Sequence, residues 1–471
     1  MSNNLLQSLY DASPALIQTL MLNMYAGGVH KERYGKEFRK IAHELEKTQY
    51  FSIGQIDEYQ QVRTQAIIKH AYTNVPYYRE LFNKLKIKPE DIRSKHDMQL
   101  IPVLTKDDIR KNIDKLISTK HNKNKLIHGH TSGTTGSPLD VYWDRNVCIV
   151  TNAVDWRQKR WGGVKYRDRI ALLLGRMIVP AKRSTPPFWR MNYVHNQLWM
   201  SAFHMNDKNL EHYVDKISTY QPVAIEGYPS TVYILARHIV SKGQVLPVRA
   251  VFTSSETLYP FQRETIERAF NCKIFDYYGM AERVVFATEC QAHSGRHLNF
   301  EYGLTEIVDA DGVGVADGEN GTLVSTSLQN YGMPLIRYKT SDVSNIQSSV
   351  CKCGRQMPLL SEVTTKAEDI VTRPDGTMIS PSILTHPFKP MYNIEESQII
   401  QEDLSHITIK IVKRAGYSDN DSRVLLEKFQ ERVGKDIIVN IDFVDSIPRT
   451  KSGKFRWVIS KVSASSKHAE S

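Results

Sequence analysis

Thr131-Ser132-Gly133-Thr134-Thr135-Gly136-Ser137-Pro138 is the most informative stretch of this chain, because all of its residues are small, flexible or hydroxylated. Glycine adopts positive φ and lets the backbone come close to a ligand. Serine and threonine hydroxyls and successive backbone N–H groups donate hydrogen bonds to phosphate oxygens. The stretch therefore predicts a loop that closes around a polyphosphate. The alternative is an ordinary surface loop rich in serine, threonine and glycine.

The loop is not a Walker-type P-loop, because Ser137-Pro138 stands where that motif requires lysine followed by serine or threonine. It resembles instead the phosphate loop of the adenylate-forming superfamily, roughly [ST]-S-G-[ST]-T-G-x-P. That superfamily contains acyl-CoA ligases, luciferases and the adenylation domains of peptide synthetases.

Three further segments resemble motifs of that superfamily and follow in the same order. Tyr278–Glu282 resembles Y-G-x-[ST]-E with Ala281 in place of the hydroxyl residue, and Arg337–Asp342 resembles R-Y-x-T-G-D with Ser341 in place of glycine. Pro448–Lys454 resembles P-R-T-x-x-G-K. Order and spacing over most of the chain are harder to meet by chance than one loop.

Within the superfamily the chain resembles the phenylacetate–CoA ligase group, and in particular its CapK-like branch. The features behind this assignment are Val75–Arg79 followed by Ile101–Lys106, the modest length, and a Cys-x-Cys-Gly-Arg segment at 351–355.

The resemblance implies ATP-dependent activation of a carboxylic acid, with release of pyrophosphate. The phosphate loop would hold the β- and γ-phosphates, Asp342 the ribose hydroxyls, and Tyr278 would lie beside the adenine. The implied nucleotide-binding residues are Thr131, Ser132, Gly133, Thr134, Thr135, Gly136, Ser255, Glu256, Tyr277, Tyr278, Gly279, Met280, Asp342 and Lys366.

Two residues are implied to be catalytic. The ammonium of Lys454 can bridge the carboxylate and the α-phosphate as they react, and the Glu282 carboxylate would help to hold Mg²⁺, which prefers oxygen ligands. The alternatives are a solvated lysine in a basic tail and a surface carboxylate. In the family, a small mobile domain rotates after adenylation and withdraws the residue matching Lys454. Its hinge would lie at 366–369, where Thr365-Lys366 replaces the usual Gly-Arg.

Cys290, His297, Cys351 and Cys353 offer three thiolates and one imidazole, a set suited to a structural, tetrahedral Zn²⁺. Some members of the phenylacetate–CoA ligase group carry zinc at matching positions. His293 is a competing imidazole. The alternative is a set of unrelated reduced cysteines, because Cys-x-Cys is shorter than the usual Cys-x₂-Cys.

Length and pattern predict an α/β protein of two domains: a large, multi-subdomain α/β domain over residues 1–365, helix-rich over 1–125, and a small α+β domain over 366–471. The short apolar stretches that begin at Ile170, Ala224, Ala250 and Lys273 predict strands that alternate with helices. Leu304–Val308 and Thr322–Leu328 predict an antiparallel pair.

The net charge of +11 is spread among acidic residues rather than gathered in runs, so we expect no nucleic-acid partner. No apolar run is long enough to span a bilayer and no signal peptide is evident, so we expect a cytoplasmic enzyme. The five cysteines agree with a reducing compartment.

The sequence contains few residues that indicate which acid and which acceptor the protein uses. His204 and Gly227-Tyr228-Pro229 fall where family members place substrate-side residues, and an aromatic or small acyl group is expected. The aromatic residues that could line the pocket, or belong to the core, are Trp156, Trp161, Phe188 and Trp189. The leading acceptor is coenzyme A, and the alternative is an amine or hydroxyl of a sugar in capsular or surface polysaccharide synthesis. A non-catalytic nucleotide-binding protein is a third hypothesis. Where the chain self-associates, we expect a homodimer.

Overall fold

A computed structural model describes residues 2–130, 139–180, 182–347, 350–363, 371–375, 378–379, 381–388, 390–391, 393–448 and 456–462. Its α-helices are α1 (Ser2–Ala12), α2 (Ala15–Arg33), α3 (Lys36–Thr48), α4 (Ile53–Asn74), α5 (Pro76–Leu85), α6 (Lys106–Lys111), α7 (Arg145–Trp161), α8 (Asp207–Tyr220), α9 (Pro229–Ser241), α10 (Pro260–Phe270), α11 (Pro381–Leu384) and α12 (Asp419–Val433). Short 3₁₀ helices span Pro89–Asp91, His96–Leu100, Lys123–Lys125 and His386–Phe388.

The strands divide between two regions of the chain. Up to residue 360 they are β1 (Ile127–His130), β2 (Asp140–Trp143), β3 (Ile170–Leu173), β4 (Trp189–Asn192), β5 (Gln197–Met200), β6 (Ala224–Gly227), β7 (Ala250–Ser254), β8 (Lys273–Gly279), β9 (Phe286–Glu289), β10 (Arg296–Leu298), β11 (Gly303–Val308), β12 (Gly321–Ser327), β13 (Tyr338–Ser344), β14 (Ile346–Gln347) and β15 (Leu359–Leu360). Beyond it they are β16 (Val371–Thr372), β17 (Met378–Ile379), β18 (Ile394–Gln401), β19 (His406–Lys413), β20 (Ile438–Phe443) and β21 (Val458–Ser460).

The N-terminal region is helical, as its apolar periodicity predicts. Helix α4 begins with a capping box in which the Ser52 side chain accepts from the backbone N–H of Gln55. It ends just before Pro76, which starts α5. Ile67, Ile68 and Ala71 lie on its buried face. None of the helices within the described ranges is both long and apolar enough to cross a membrane.

The central sheet has ten strands in the order β14-β15-β10-β9-β8-β7-β6-β3-β5-β4. Strands β5, β3, β6, β7 and β8 run parallel to their neighbours within this group, and antiparallel strands extend the sheet on both sides. The four strands predicted from short apolar stretches are β3, β6, β7 and β8. Because ligands of such sheets bind at the carboxyl ends of the parallel strands, this edge is where the site is expected.

A separate antiparallel sheet of β11, β12 and β13 confirms the predicted pairing of the segments that begin near Leu304 and Thr322. Strand β13 also carries one of the recognised motifs. The backbone N–H of Leu104 donates to the Arg337 carbonyl at 2.8 Å, and the N–H of Lys339 donates to the Leu104 carbonyl at 2.9 Å. The segment Ile101–Lys106 is therefore hydrogen-bonded alongside this motif.

The C-terminal region is α+β, as predicted. Strands β20-β19-β18-β21 form a mixed sheet, and α12 covers it with Leu425, Phe429 and Val433. Trp457 is fully buried in this core, which also contains Phe203 from the loop after β5. The residues around the proposed domain boundary at 365/366 lie outside the described ranges, so that boundary stays a prediction. The α/β fold class with a smaller C-terminal α+β region is confirmed.

Candidate functional site

The predicted phosphate loop lies outside the described residues, but its flanks are described. Strands β1 and β2 pair antiparallel, with His130 directly opposite Asp140, so the two ends of the loop are adjacent. Nδ1 of His130 and Nε2 of His128 lie 2.9 and 2.6 Å from the same carboxylate oxygen of Asp140. Sequence reasoning missed this cluster. Lys366 and Lys454 also lie outside the described residues.

Glu282 follows strand β8 and is buried, with 7 % of its surface exposed. The phenolic O–H of Tyr338 donates to its Oε1 at 2.5 Å. Burial, together with the negative charge of Glu282, raises the pKa of Tyr338 well above its usual value. The phenol therefore remains a donor and fixes one oxygen of the carboxylate.

Asp342 is held in the same manner. The phenolic O–H of Tyr278, near the end of β8, donates to Oδ2 of Asp342 at 2.6 Å. Burial and the Asp342 charge raise the pKa of Tyr278 well above its usual value. The two motifs are thus reciprocal: each supplies one carboxylate and the tyrosine that orients the carboxylate of the other.

Arg337, the first residue of the second of these motifs, is structural rather than a ligand contact. Its guanidinium is buried, pairs with Glu306 at 3.0 Å, and donates to the carbonyls of Ile101 and Gly312 at 2.7 and 2.8 Å. Its backbone φ of 50° is in the left-handed region. Through these ion-pair and hydrogen-bond contacts, the Arg337 side chain connects the start of β13 to the N-terminal region and to the turn after β11.

Ser255 and Glu256, predicted to contact the nucleotide, follow directly after β7. Ser255 has a φ of 71°, and Oε2 of Glu256 accepts from the backbone N–H of Ser230 at 3.0 Å. Glu256 thereby satisfies a donor at the N-terminus of α9. Tyr277 stacks on Phe286 with ring centroids 5.0 Å apart. The structure therefore shows a hydrogen-bonding role for Glu256 and a packing role for Tyr277.

Gly279 ends β8, and Met280 is partly buried against the core of the N-terminal region. Gly227 ends β6, where an added Cβ would lie 2.7 Å from Val232 and 2.9 Å from the Leu173 carbonyl oxygen. A side chain does not fit at this position. Tyr228 follows as the N-cap of α9 and Pro229 is its first residue, a position that suits proline.

His204 lies in the loop after β5 and is buried, with its ring stacked on Phe188 at 5.0 Å. Its Nδ1 is 2.8 Å from the Ser201 hydroxyl. Burial, with smaller effects from nearby arginines, lowers the pKa of His204 to about 4, so the ring is neutral near pH 7. Phe188 belongs to this core stack. Trp189 is partly buried against the same core.

The four residues of the predicted zinc set lie together, with their ligand atoms all within 4.8 Å of one another. Sγ of Cys290 is 3.7 Å from Sγ of Cys351, and Sγ of Cys353 is 3.3 Å from Nε2 of His297. Nδ1 of His297 lies 3.2 Å from the carbonyl oxygen of Met357, which orients Nε2 toward the thiols. The structure therefore brings the four predicted residues together.

His293 does not belong to this group. It is 3.6 Å from the Glu289 carboxylate and packs against Phe275. Trp161 borders the cluster instead, with its ring centroid 5.9 Å from that of His297.

A second group of charges, which sequence reasoning missed, lies behind the carboxyl ends of β3, β5 and β6. Asp155 and Lys159 on α7 meet Glu226 of β6. The signal in the sequence was a glutamate inside the apolar stretch that forms β6. Trp156 borders the same space.

Comparisons with known proteins agree with this architecture. Residues 371–461 match the family model described as the CapK C-terminal domain. Protein CapK of Staphylococcus aureus is 30% identical over 470 residues, which cover 97% of this chain and 100% of that protein. The chain belongs to the CapK family.

The phenylacetate-coenzyme A ligase of Escherichia coli (strain K12) is 26% identical over 420 residues, covering 84% of this chain and 93% of that enzyme. A 2-hydroxyisobutyryl-CoA ligase, solved in complex with 2-HIB-AMP and CoA, superposes with a TM-score of 0.57 at 21% identity, over 88% of this chain and 92% of that one. It shows a shared fold. The predicted relationship to adenylate-forming ligases of the phenylacetate–CoA ligase group, CapK branch, is confirmed.

Proposed function

We propose that this CapK-family protein activates a carboxylic acid with ATP, forming an acyl-adenylate and pyrophosphate, and then transfers the acyl group to coenzyme A. The observation that carries the proposal is the reciprocal arrangement of Glu282 with Tyr338 and of Asp342 with Tyr278. Two fixed carboxylates at the ligand-binding edge suit a magnesium–nucleotide complex, in which one carboxylate faces the cation and the other the ribose.

The chemistry in this proposal divides among the chain's residues. Asp342 accepts hydrogen bonds from the ribose hydroxyls through lone pairs that Tyr278 does not occupy. Glu282 would help to hold Mg²⁺, which would neutralise charge on the phosphates. Thr131–Gly136 hold the β- and γ-phosphates. Lys454 offsets the charge that develops on the α-phosphate during attack by the acid carboxylate.

Acid-dependent exchange of radiolabelled pyrophosphate into ATP tests the first half of the proposal. The expected result is exchange that requires one acid of a panel together with Mg²⁺. Formation of a CoA thioester from that acid, followed by mass spectrometry, tests the second half. Absence of exchange with the acid that binds the protein would contradict the adenylation step.

The second candidate keeps the adenylate and transfers the acyl group to an amine or hydroxyl of a sugar. It is favoured by the similarity to CapK, which extends over the whole chain and includes the C-terminal domain. In this case pyrophosphate exchange is unchanged but CoA does not accelerate release of AMP. Acceleration by an amino sugar in place of CoA would distinguish the two acceptors.

We also propose a structural Zn²⁺ at Cys290, His297, Cys351 and Cys353. With Zn–S bonds of about 2.3 Å, two thiolates of a tetrahedral site lie about 3.8 Å apart. The 3.7 Å between the sulfurs of Cys290 and Cys351 fits this edge. The contact between His297 and the Met357 carbonyl is the outer hydrogen bond that metal-bound histidines usually make. This site would join β10 to the turn before β15.

We expect the purified protein to contain about one zinc per chain. Cys351→Ser should lose the metal and lower the melting temperature by about 5 °C or more, because removal of one thiolate leaves the other ligands unsatisfied. Plasma emission spectroscopy and calorimetry measure both effects. Cys272→Ser is the matched control, since Cys272 lies outside the cluster. Zinc-free protein with an unchanged melting temperature would instead favour unrelated reduced cysteines.

A further inference from the structure

A cavity of about 200 Å³ lies over one face of the central sheet, between α2, α7 and strands β3, β5 and β6, and it reaches the carboxyl ends of β3 and β6. Leu174, just after β3, and Glu226, the penultimate residue of β6, both line it. Glu226 directly precedes Gly227-Tyr228-Pro229, the segment predicted to lie on the substrate side. The cavity is therefore placed where an acyl group attached to the nucleotide would extend into the protein.

Three charged side chains form one wall of this cavity. Nζ of Lys159 lies 2.6 Å from both carboxylate oxygens of Asp155 and 3.1 Å from Oε2 of Glu226. The side chains of Lys159, Asp155 and Glu226 are 4%, 22% and 16% exposed. Burial alone would lower the pKa of Lys159, but the two carboxylates outweigh it and raise that pKa.

One ammonium thus serves two carboxylates, so the group carries a net charge of −1 when all three are ionised. Burial of charges beside an apolar ligand is costly unless each charge is paired. Lys159 donates to one oxygen of Glu226, and a carboxylate can accept several hydrogen bonds. Both carboxylates line the cavity, so the lone pairs that Lys159 does not occupy, chiefly those of the second Glu226 oxygen, are the acceptor capacity of this wall.

The rest of the lining combines flat aromatic rings with polar groups. Trp156 and Trp199 provide two of the rings. Arg33 and Arg176 are further cations of the lining, and the guanidinium of Arg176 lies 5.0 Å from the Trp199 ring centroid. The Trp199 indole N–H donates to Gln197 Oε1 at 3.0 Å. The lining suits a small acyl group with polar substituents. A long alkyl chain or an unsubstituted phenyl ring has no donor for the carboxylates of Asp155 and Glu226.

We infer that this cavity is the acyl pocket and that it selects a small carboxylic acid bearing hydrogen-bond-donating hydroxyl or ammonium groups. This inference rests on the proposed adenylation. Asp155 and Glu226 would be specificity-determining residues that accept from those groups, and Lys159 is the positioning residue that holds both carboxylates. Hydroxy acids and amino acids share the required chemistry, and the test separates them.

The test compares hydroxy acids, amino acids, aryl acids and fatty acids as substrates of pyrophosphate exchange by the full-length protein. We expect exchange with a hydroxy or an amino acid, and at least about tenfold lower kcat/KM for aryl and fatty acids of similar size. Glu226→Gln should lower kcat/KM for the preferred acid about tenfold or more, mainly through KM, with the KM for ATP changed less than about twofold.

Glu211→Gln is the matched control, because Glu211 pairs with His238 at the surface. Melting temperatures verify that each variant is folded. Asp155→Asn, on α7, should lower kcat/KM for the preferred acid in the same way as Glu226→Gln. Preference of the wild-type protein for an aryl or fatty acid would overturn the inference while leaving the adenylation intact. Binding of the acids to the protein without ATP is measured in parallel by saturation-transfer NMR. Binding of a polar acid that Glu226→Gln loses, without exchange, would support the pocket and contradict the adenylation.

Discussion

Lys454→Ala should reduce acid-dependent pyrophosphate exchange by about 100-fold or more, a loss typical of removing one charged group that stabilises a transition state. Negative charge gathers on the α-phosphate as the acid attacks, and a compact ammonium offsets it more in the transition state than in the ground state. The described residues that follow Lys454 include members of the C-terminal core. Trp457 is fully buried, and β21, which follows it, pairs with β18.

The control is Lys461→Ala, because Lys461 is an exposed cation just after β21 that pairs with Glu402. It should retain exchange. The transfer of the acyl group to CoA should not depend on Lys454, since the family resemblance implies that the residue matching Lys454 withdraws before this step. Supplied with preformed acyl-adenylate, Lys454→Ala should still form the thioester. Exchange within about threefold of the wild type would rule out the assigned role.

The parts of the site that sequence could predict are those encoded in short, ordered motifs. Four apolar stretches predicted β3, β6, β7 and β8. The motif carboxylate Glu282 follows the end of β8, and Asp342 lies on β13 in contact with Tyr278 of β8. Local pattern is sufficient here because burial on both faces of a parallel strand leaves an apolar run with polar residues after it.

The reciprocal tyrosines could not be predicted in the same way. Tyr278 and Asp342 are far apart in sequence and meet only because β13 packs beside the end of β8. Tyr338 was recognised as part of a motif, but no local pattern showed that it holds Glu282. The antiparallel strands that extend the sheet were missed for a related reason: they are short, and their pairing depends on distant partners.

The charged wall of the cavity could not be predicted from the sequence either. Asp155 and Lys159 are spaced like an ordinary ion pair on a helix surface, and most such pairs face solvent. Only the packing of α7 against the sheet places them beside Glu226. The sequence predicts a substrate pocket from His204, Gly227-Tyr228-Pro229 and four aromatic residues. Of the aromatic residues, Trp156 lies at the cavity, Trp161 at the cysteine cluster, and Phe188 and Trp189 in the core.

Arg337→Met should destabilise the protein by about 3–5 kcal/mol, the range for removing one partner of a buried ion pair. The guanidinium is only 2% exposed and makes hydrogen bonds to Glu306 and to the carbonyls of Ile101 and Gly312. Methionine fills much of the space but leaves the Glu306 carboxylate and two carbonyls without these donors. The free energy of unfolding, measured in urea, tests the loss.

Two variants make this result specific. Arg423→Met removes an exposed arginine that pairs loosely with Glu427 at 4.0 Å, and it should cost less than about 1 kcal/mol. Combining Arg337→Met with Glu306→Gln should recover part of the loss, because the double variant no longer buries an unpaired carboxylate. If Arg337→Met were as stable as Arg423→Met, the first residue of this motif would not be an anchor, and a direct ligand contact would have to explain its presence. Because Arg337 holds β13 against Ile101 and the turn at Gly312, its loss should also displace Tyr338 and Asp342, so nucleotide affinity should fall together with stability.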